Sequence, residues 1–106
     1  MIRGAVYRVD LGSARGHEQG GRRFGLVLSP SRMNWPVATI VPTFTSAGPA
    51  TFRPTFTIAG RETRLLVDQI RTVDTDYLVG EPVDYLHHDQ LVLVEEAVGY
   101  YLGLVP

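Results

Sequence analysis

Along most of this chain the apolar residues fall in short runs separated by glycine, proline and polar clusters, the punctuation expected of strands. Ala5 to Val9 alternates and reads as a first strand. Phe24 to Leu28 is a short apolar run that reads as a buried second strand, and Val37 to Val41 is a third, ended by Pro42. A fourth strand, Thr55 to Ile58, follows the breaker-rich stretch Ser46-Ala47-Gly48-Pro49. Leu65-Leu66-Val67 leads through Asp68-Gln69-Ile70 to Arg71 as a fifth, and Val79 to Val83 adds a last short one. Many short β-branched strands with such punctuation predict a small barrel.

The period changes near the C-terminal end. Leu91, Val94, Val98 and Leu102 are spaced for one face of a helix, with Ala97 and Tyr101 beside them. Asp89 sits in the first turn and Gly103 just past the last, where the dipole and a C-terminal cap favour them. The expected architecture is mainly β with a C-terminal helix: one domain over residues 1–106, a small SH3-like barrel with the helix laid on it.

One connection breaks the pattern. Asp10 to Arg23 runs fourteen residues between two strands, where hairpin loops take about two to five, and long connections of this kind are commonly functional. Its Gly12, Gly16, Gly20 and Gly21 loosen the backbone. Arg15, His17, Glu18, Gln19, Arg22 and Arg23 supply phosphate-binding, proton-transfer and hydrogen-bonding groups.

Charge strengthens this reading. The net charge of −1 conceals two opposed halves. Residues 1–71 carry all ten arginines against four acids, a net +6, and residues 72–106 carry seven acids and no arginine, a net −7. One basic face for an anionic partner is implied. Every basic side chain other than histidine is arginine, whose planar fork grips phosphate bidentately. No cysteine is present, which excludes disulfides, thiolate metal sites and a cysteine nucleophile. The apolar runs are far too short for a membrane helix, and the N-terminus lacks a signal-peptide pattern. A cytoplasmic protein with no cofactor, no metal and no membrane partner is the expectation. His87-His88 are adjacent, so their side chains diverge, and they suit the start of a helix better than a metal site.

Six stretches together resemble a known family. Arg3-Gly4-x-Val6-Tyr7, Val9-Asp10-Leu11 and Gly16-His17-Glu18-Gln19-Gly20-Gly21-x-Arg23 resemble the opening of MazF/PemK toxins. Leu26-Val27-Leu28-Ser29-Pro30 with Asn34, and Val41-Pro42-Thr43-Phe44-Thr45-Ser46, resemble their second and third strands. Asp68-Gln69-Ile70-Arg71-Thr72-Val73-Asp74 resembles their fifth strand and the turn after it. The resemblance implies a MazF/PemK/CcdB-like barrel working as a homodimer. It also implies a metal-independent endoribonuclease that cuts single-stranded RNA at short motifs and is restrained by a cognate antitoxin. An acidic, partly disordered antitoxin segment would suit the basic groove.

By the same resemblance, Arg23 and Thr45 are the catalytic residues, and in some relatives the counterparts of His17 and Asp68 are implicated instead. The chain departs from the family at Phe24, where proline is usual, at Leu66, where the relatives relying on the aspartate have arginine, and at Asp76-Tyr77-Leu78, which lack a common basic residue. Because Arg22 precedes Arg23, either could face the phosphate. Glu18 could act as base or hold Arg23 in place. Arg15, Gln19, Arg22, Ser46 and Gln69 are candidate RNA contacts, with Trp35 as a stacking platform. A competing reading keeps the same barrel but makes the protein a gyrase poison without nuclease activity; that activity lies on the C-terminal helix and does not require the arginine-bearing loop. A noncatalytic SH3-like adaptor would leave the charge segregation unexplained.

Overall fold

A computed structural model describes residues 2–13, 16, 20–33 and 35–105, Met33 by its backbone alone. Among them, β1 (Ala5–Asp10), β2 (Arg22–Val27), β3 (Val37–Phe44), β4 (Thr55–Ile58), β5 (Arg61–Leu65), β6 (Arg71–Asp74) and β7 (Leu78–Tyr85) precede one helix, α1 (His88–Tyr101). The strands form a bent antiparallel sheet in the order β4-β5-β3-β2-β1-β7, with β6 also paired to β3. The ends of that path meet through a side chain: Asp84 on β7 accepts the Ala59 N–H, 2.8 Å away, at the β4–β5 turn. The expected β barrel with a C-terminal helix is the architecture found.

Alternation along the strands sorts side chains onto two cores. Val6, Leu26, Val41 and Leu65 face α1 and pack with Ile58, Val94 and Ala97, whereas Ala5, Tyr7, Val9, Val27 and Ile40 face the other way and pack with Leu11 and Val73. Strand β1 is therefore buried on both faces over most of its length. Full burial of a side chain such as Val94 contributes about 1.5–3 kcal/mol. Gly4 lets the chain pass beneath α1: its φ is +88°, and a Cβ there would lie 3.0 Å from Leu91 Cδ1. Beyond α1, Gly103 at φ +72° turns the chain, so that the Leu104 N–H reaches the Gly99 carbonyl at 2.8 Å and closes the helix end. Of the apolar stripe expected on α1, Val94 and Ala97 are buried, but Leu102, the cap residue just past the helix, is 51 % exposed.

Two strand boundaries differ from the sequence reading. Strand β3 does not stop at Pro42 but continues to Phe44. Proline is tolerated there because β3 pairs with β6 up to Ile40 and with β5 from Thr43, so position 42 lies where one partner gives way to the next. The Pro42 carbonyl still accepts the Leu66 N–H at 2.8 Å. The expected fifth strand is instead two strands, β5 and β6, separated by a 3-10 turn at Val67–Gln69. An unbroken apolar run cannot reveal such a turn, because Leu65, Leu66 and Val67 are all fully buried.

Candidate nucleic-acid cleft

The strand columns that carry the α1-facing core change character as they run outward. Val6 leads to Arg8 and Asp10, Leu26 to Phe24 and Arg22, Val41 to Thr43 and Thr45, and Leu65 to Thr63 and Arg61. Alternate residues share a face, so one apolar surface becomes a polar, cationic one without any change of strand. The outer residues of these columns, with Val9, Arg23, Phe44 and Val79, line a cleft of about 660 Å³.

Electrostatics of the cleft are one-sided. Among the described residues, Arg8, Arg22, Arg23 and Arg61 line it against a single carboxylate, Asp10. Asp10 lies 3.9 Å from Arg22, whose side chain is 92 % exposed, so the pair is screened and neutralises little. The other Asp10 oxygen accepts the Gly12 N–H at 3.0 Å and starts the long loop. The base of that loop is pinched shut by Leu11 N–H to Gly21 carbonyl (2.9 Å) and Gly21 N–H to Gly12 carbonyl (2.6 Å).

Arg22 and Arg23 are held very differently. The Arg23 Nε donates to the Gly20 carbonyl at 3.0 Å, and its guanidinium carbon sits 4.3 Å from the centre of the Phe44 ring. Beside them, the Thr43 hydroxyl, almost fully buried, donates to the Phe24 carbonyl at 2.9 Å and ties the tips of β2 and β3 together. Arg8 lies over the Phe24 ring at a looser 5.9 Å.

The structure thus brings Arg22, Arg23 and Thr45 together, and adds Arg8 and Arg61, which the sequence reading did not single out. Their signal was faint, since each is one arginine in a strand. Ser46 follows Thr45 on the exposed turn and is not a lining residue. Arg15, His17, Glu18 and Gln19 lie outside the described residues.

Asp68, Gln69 and Trp35 do not join the arginine cluster. Asp68 sits on the 3-10 turn, where Arg53 clasps both its oxygens: Nε to Oδ1 at 2.9 Å and Nη2 to Oδ2 at 2.7 Å. That guanidinium holds the Asp68 carboxyl below the usual carboxylate range, against the opposing effect of burial. Gln69 is the next residue of the same turn. The third Arg53 nitrogen donates to the Gly48 carbonyl at 3.0 Å, so the pair anchors the connection between β3 and β4. Trp35, 61 % exposed, borders a separate hollow of about 540 Å³ with Tyr7, Tyr85 and Glu81, which shares no lining residue with the cleft. His87 and His88 open α1, the His87 N–H donating to Gln90 Oε1 at 2.8 Å. Among the described residues, no helix is long and apolar enough to cross a membrane.

Comparison with known proteins places this geometry. The chain is 61 % identical over 105 residues, 98 % of its own length and 99 % of the relative's, to a Mycobacterium tuberculosis (strain H37Rv) protein provisionally named as a toxin. It superimposes on MazF from Deinococcus radiodurans with a TM-score of 0.85 at 29 % identity, covering 97 % of this chain and 96 % of that one. A mycobacterial endoribonuclease in complex with its cognate antitoxin shares the fold, with a TM-score of 0.81 at 21 % identity over 100 % of this chain and 98 % of that one. Residues 2–102 match the model of the PemK-like, MazF-like toxins of type II toxin–antitoxin systems, and the chain belongs to that family.

Proposed function

We propose that the cleft binds single-stranded RNA and cuts it without a metal ion. The observation that carries this reading is the convergence of Arg22, Arg23 and Thr45, with Arg8 and Arg61, on one cleft. The substrate supplies its own nucleophile. The ribose 2′-oxygen bonds to the adjacent phosphorus, its proton passes to a base, and the bond to the 5′-oxygen breaks as that oxygen takes up a proton. The products are a 2′,3′-cyclic phosphate and a 5′-hydroxyl.

Arg23 is the group assigned to the phosphorane. Its Nε is occupied by Gly20 and one face is covered by Phe44, so its terminal nitrogens are the donors left for nonbridging oxygens. Thr45 adds a hydroxyl donor to the same phosphate. Arg22, Arg8 and Arg61 would take the flanking phosphates, and Arg15, Gln19 and Ser46 remain candidate RNA contacts. His17 suits proton transfer by its ordinary pKa near 6.5, and Glu18 is either the base or a partner for Arg23. Asp68 is assigned a structural role, because a carboxylate held doubly by arginine is a poor proton acceptor near neutral pH.

The family's antitoxins suggest how the activity is restrained: an acidic segment of a cognate antitoxin would occupy the same cationic cleft and compete with RNA. A homodimer is the proposed working form, since Leu93, Tyr100, Leu102 and Leu104 leave an apolar surface on and beyond α1 that a monomer would expose to water. The cytoplasm, where RNA is found, is the proposed location.

The test is incubation of the purified protein with a long single-stranded RNA in excess EDTA, followed by mapping of the new ends. Cutting at short recurring motifs, lost in Arg23→Ala and Thr45→Ala, is the expected result. Intact RNA alongside arrested gyrase complexes would replace the nuclease reading with gyrase poisoning.

A further inference from the structure

We infer that Phe44 is a positioning residue that fixes the guanidinium of Arg23 through the face of its ring; this rests on the nuclease reading above. An arginine on a strand end has a long flexible stem, and its phosphate-binding fork is useful only when its plane is set. Two contacts set it here. The Gly20 carbonyl takes Nε at 3.0 Å and fixes one edge, and the Phe44 ring, 4.3 Å from the guanidinium carbon, fixes one face. A cation over an aromatic face is attracted by the ring quadrupole within about 6 Å, so Arg23 sits well inside the range and Arg8, at 5.9 Å from Phe24, at its limit.

The strand end under the ring is itself tied into the sheet. Phe44 ends β3, opposite Arg64 on β5, and its neighbour Thr43 is bonded to the Phe24 carbonyl. Phe44 is only half-buried and belongs to neither hydrophobic cluster, so filling the core does not account for it. Its ring borders the cleft, where its described partner is the guanidinium. Removing the ring would leave Arg23 held at the Gly20 edge alone, with its plane no longer set, which is a loss felt in the transition state more than in substrate binding.

The test replaces Phe44 with mono-, di- and trifluorophenylalanine, which keep the shape of the ring while draining its negative face, and compares Phe44→Leu and Phe44→Tyr. The expected result is a stepwise fall of kcat along the fluorinated series, with KM little changed. Phe44→Leu should lose roughly three- to tenfold in kcat, and Phe44→Tyr, which keeps a ring, should recover most of that. In NMR spectra of the free protein, the Arg23 side-chain resonances should be shifted upfield by the ring in the wild type and return toward ordinary positions in Phe44→Leu. A flat kcat across the fluorinated series, or Arg23 resonances indifferent to Phe44→Leu, overturns the inference. If the wild type cuts no RNA, the nuclease reading fails, and the NMR comparison still decides whether Phe44 holds Arg23.

Discussion

Replacing Asp68 by asparagine removes the anion from a clasp that is largely sheltered from water. The Arg53 and Asp68 side chains are 23 % and 14 % exposed, and both Asp68 oxygens are engaged. Exposed ion pairs contribute about 0–1 kcal/mol, and breaking a fully buried one costs about 3–5 kcal/mol. A sheltered bidentate pair falls between, so Asp68→Asn should cost about 2 kcal/mol at neutral pH. For a chain of 106 residues, with an unfolding entropy of about 2.1 cal/mol/K per residue, that lowers Tm by about 9 °C. The pH dependence follows from the sign of the shift. Because Arg53 depresses the folded-state pKa of Asp68, its stabilisation is fully present above the unfolded carboxylate value and is lost as pH falls through the lower folded value. Thermal melts of both proteins at pH 7, 5 and 2.5 should therefore show the full gap at the two higher values and a much reduced gap at the lowest. A gap below about 1 °C at pH 7, outside the range of the sheltered-pair estimate, or an equal gap at pH 2.5, would refute the reasoning.

Further outcomes follow from other parts of the molecule. Ala59 holds φ +50° beside Gly60 at φ +81° in the turn between β4 and β5, a conformation that disfavours L side chains; Ala59→Gly should stabilise by about 0.5–1 kcal/mol, and a lowered Tm would contradict this. Gly25→Ala should destabilise by about 1–3 kcal/mol, since a Cβ there would meet Ile40 Cδ1 at 3.2 Å and Val9 Cγ2 at 3.3 Å; urea titration measures it, and an unchanged midpoint would mean the strands yield freely. Arg61→Ala should weaken binding of a noncleavable 2′-O-methyl RNA and reduce the salt slope of log K by about 0.7; an unaltered slope would remove Arg61 from the RNA path.

Much of the fold was legible because period and punctuation are local. The buried Val94 and Ala97 of α1, and the strand at Thr55–Ile58, could be read from spacing and flanking breakers alone. Pro42 misled because its tolerance depends on a change of pairing partner on β3, which only the sheet defines. The site divides similarly. Arg22 and Arg23 stand at the end of a conspicuous loop, whereas Arg8 and Arg61 reach the cleft only through the registers that put Arg8 opposite Phe24 and Arg61 opposite Ile58. Asp68 looked available in sequence because its partner Arg53 lies fifteen residues away across an irregular connection. Nothing in the neighbouring residues announces that pairing.

The central claim is that the cleft uses the ribose 2′-hydroxyl as nucleophile, and a single-atom change in the substrate tests it. An RNA oligonucleotide containing a mapped cleavage motif is compared with the same strand carrying one 2′-deoxynucleotide on the 5′ side of the scissile phosphate, in EDTA, with wild-type protein. The account predicts that the all-RNA strand yields a 2′,3′-cyclic phosphate end and that the singly substituted strand binds but stays intact. Cleavage of the substituted strand at the same bond would contradict it.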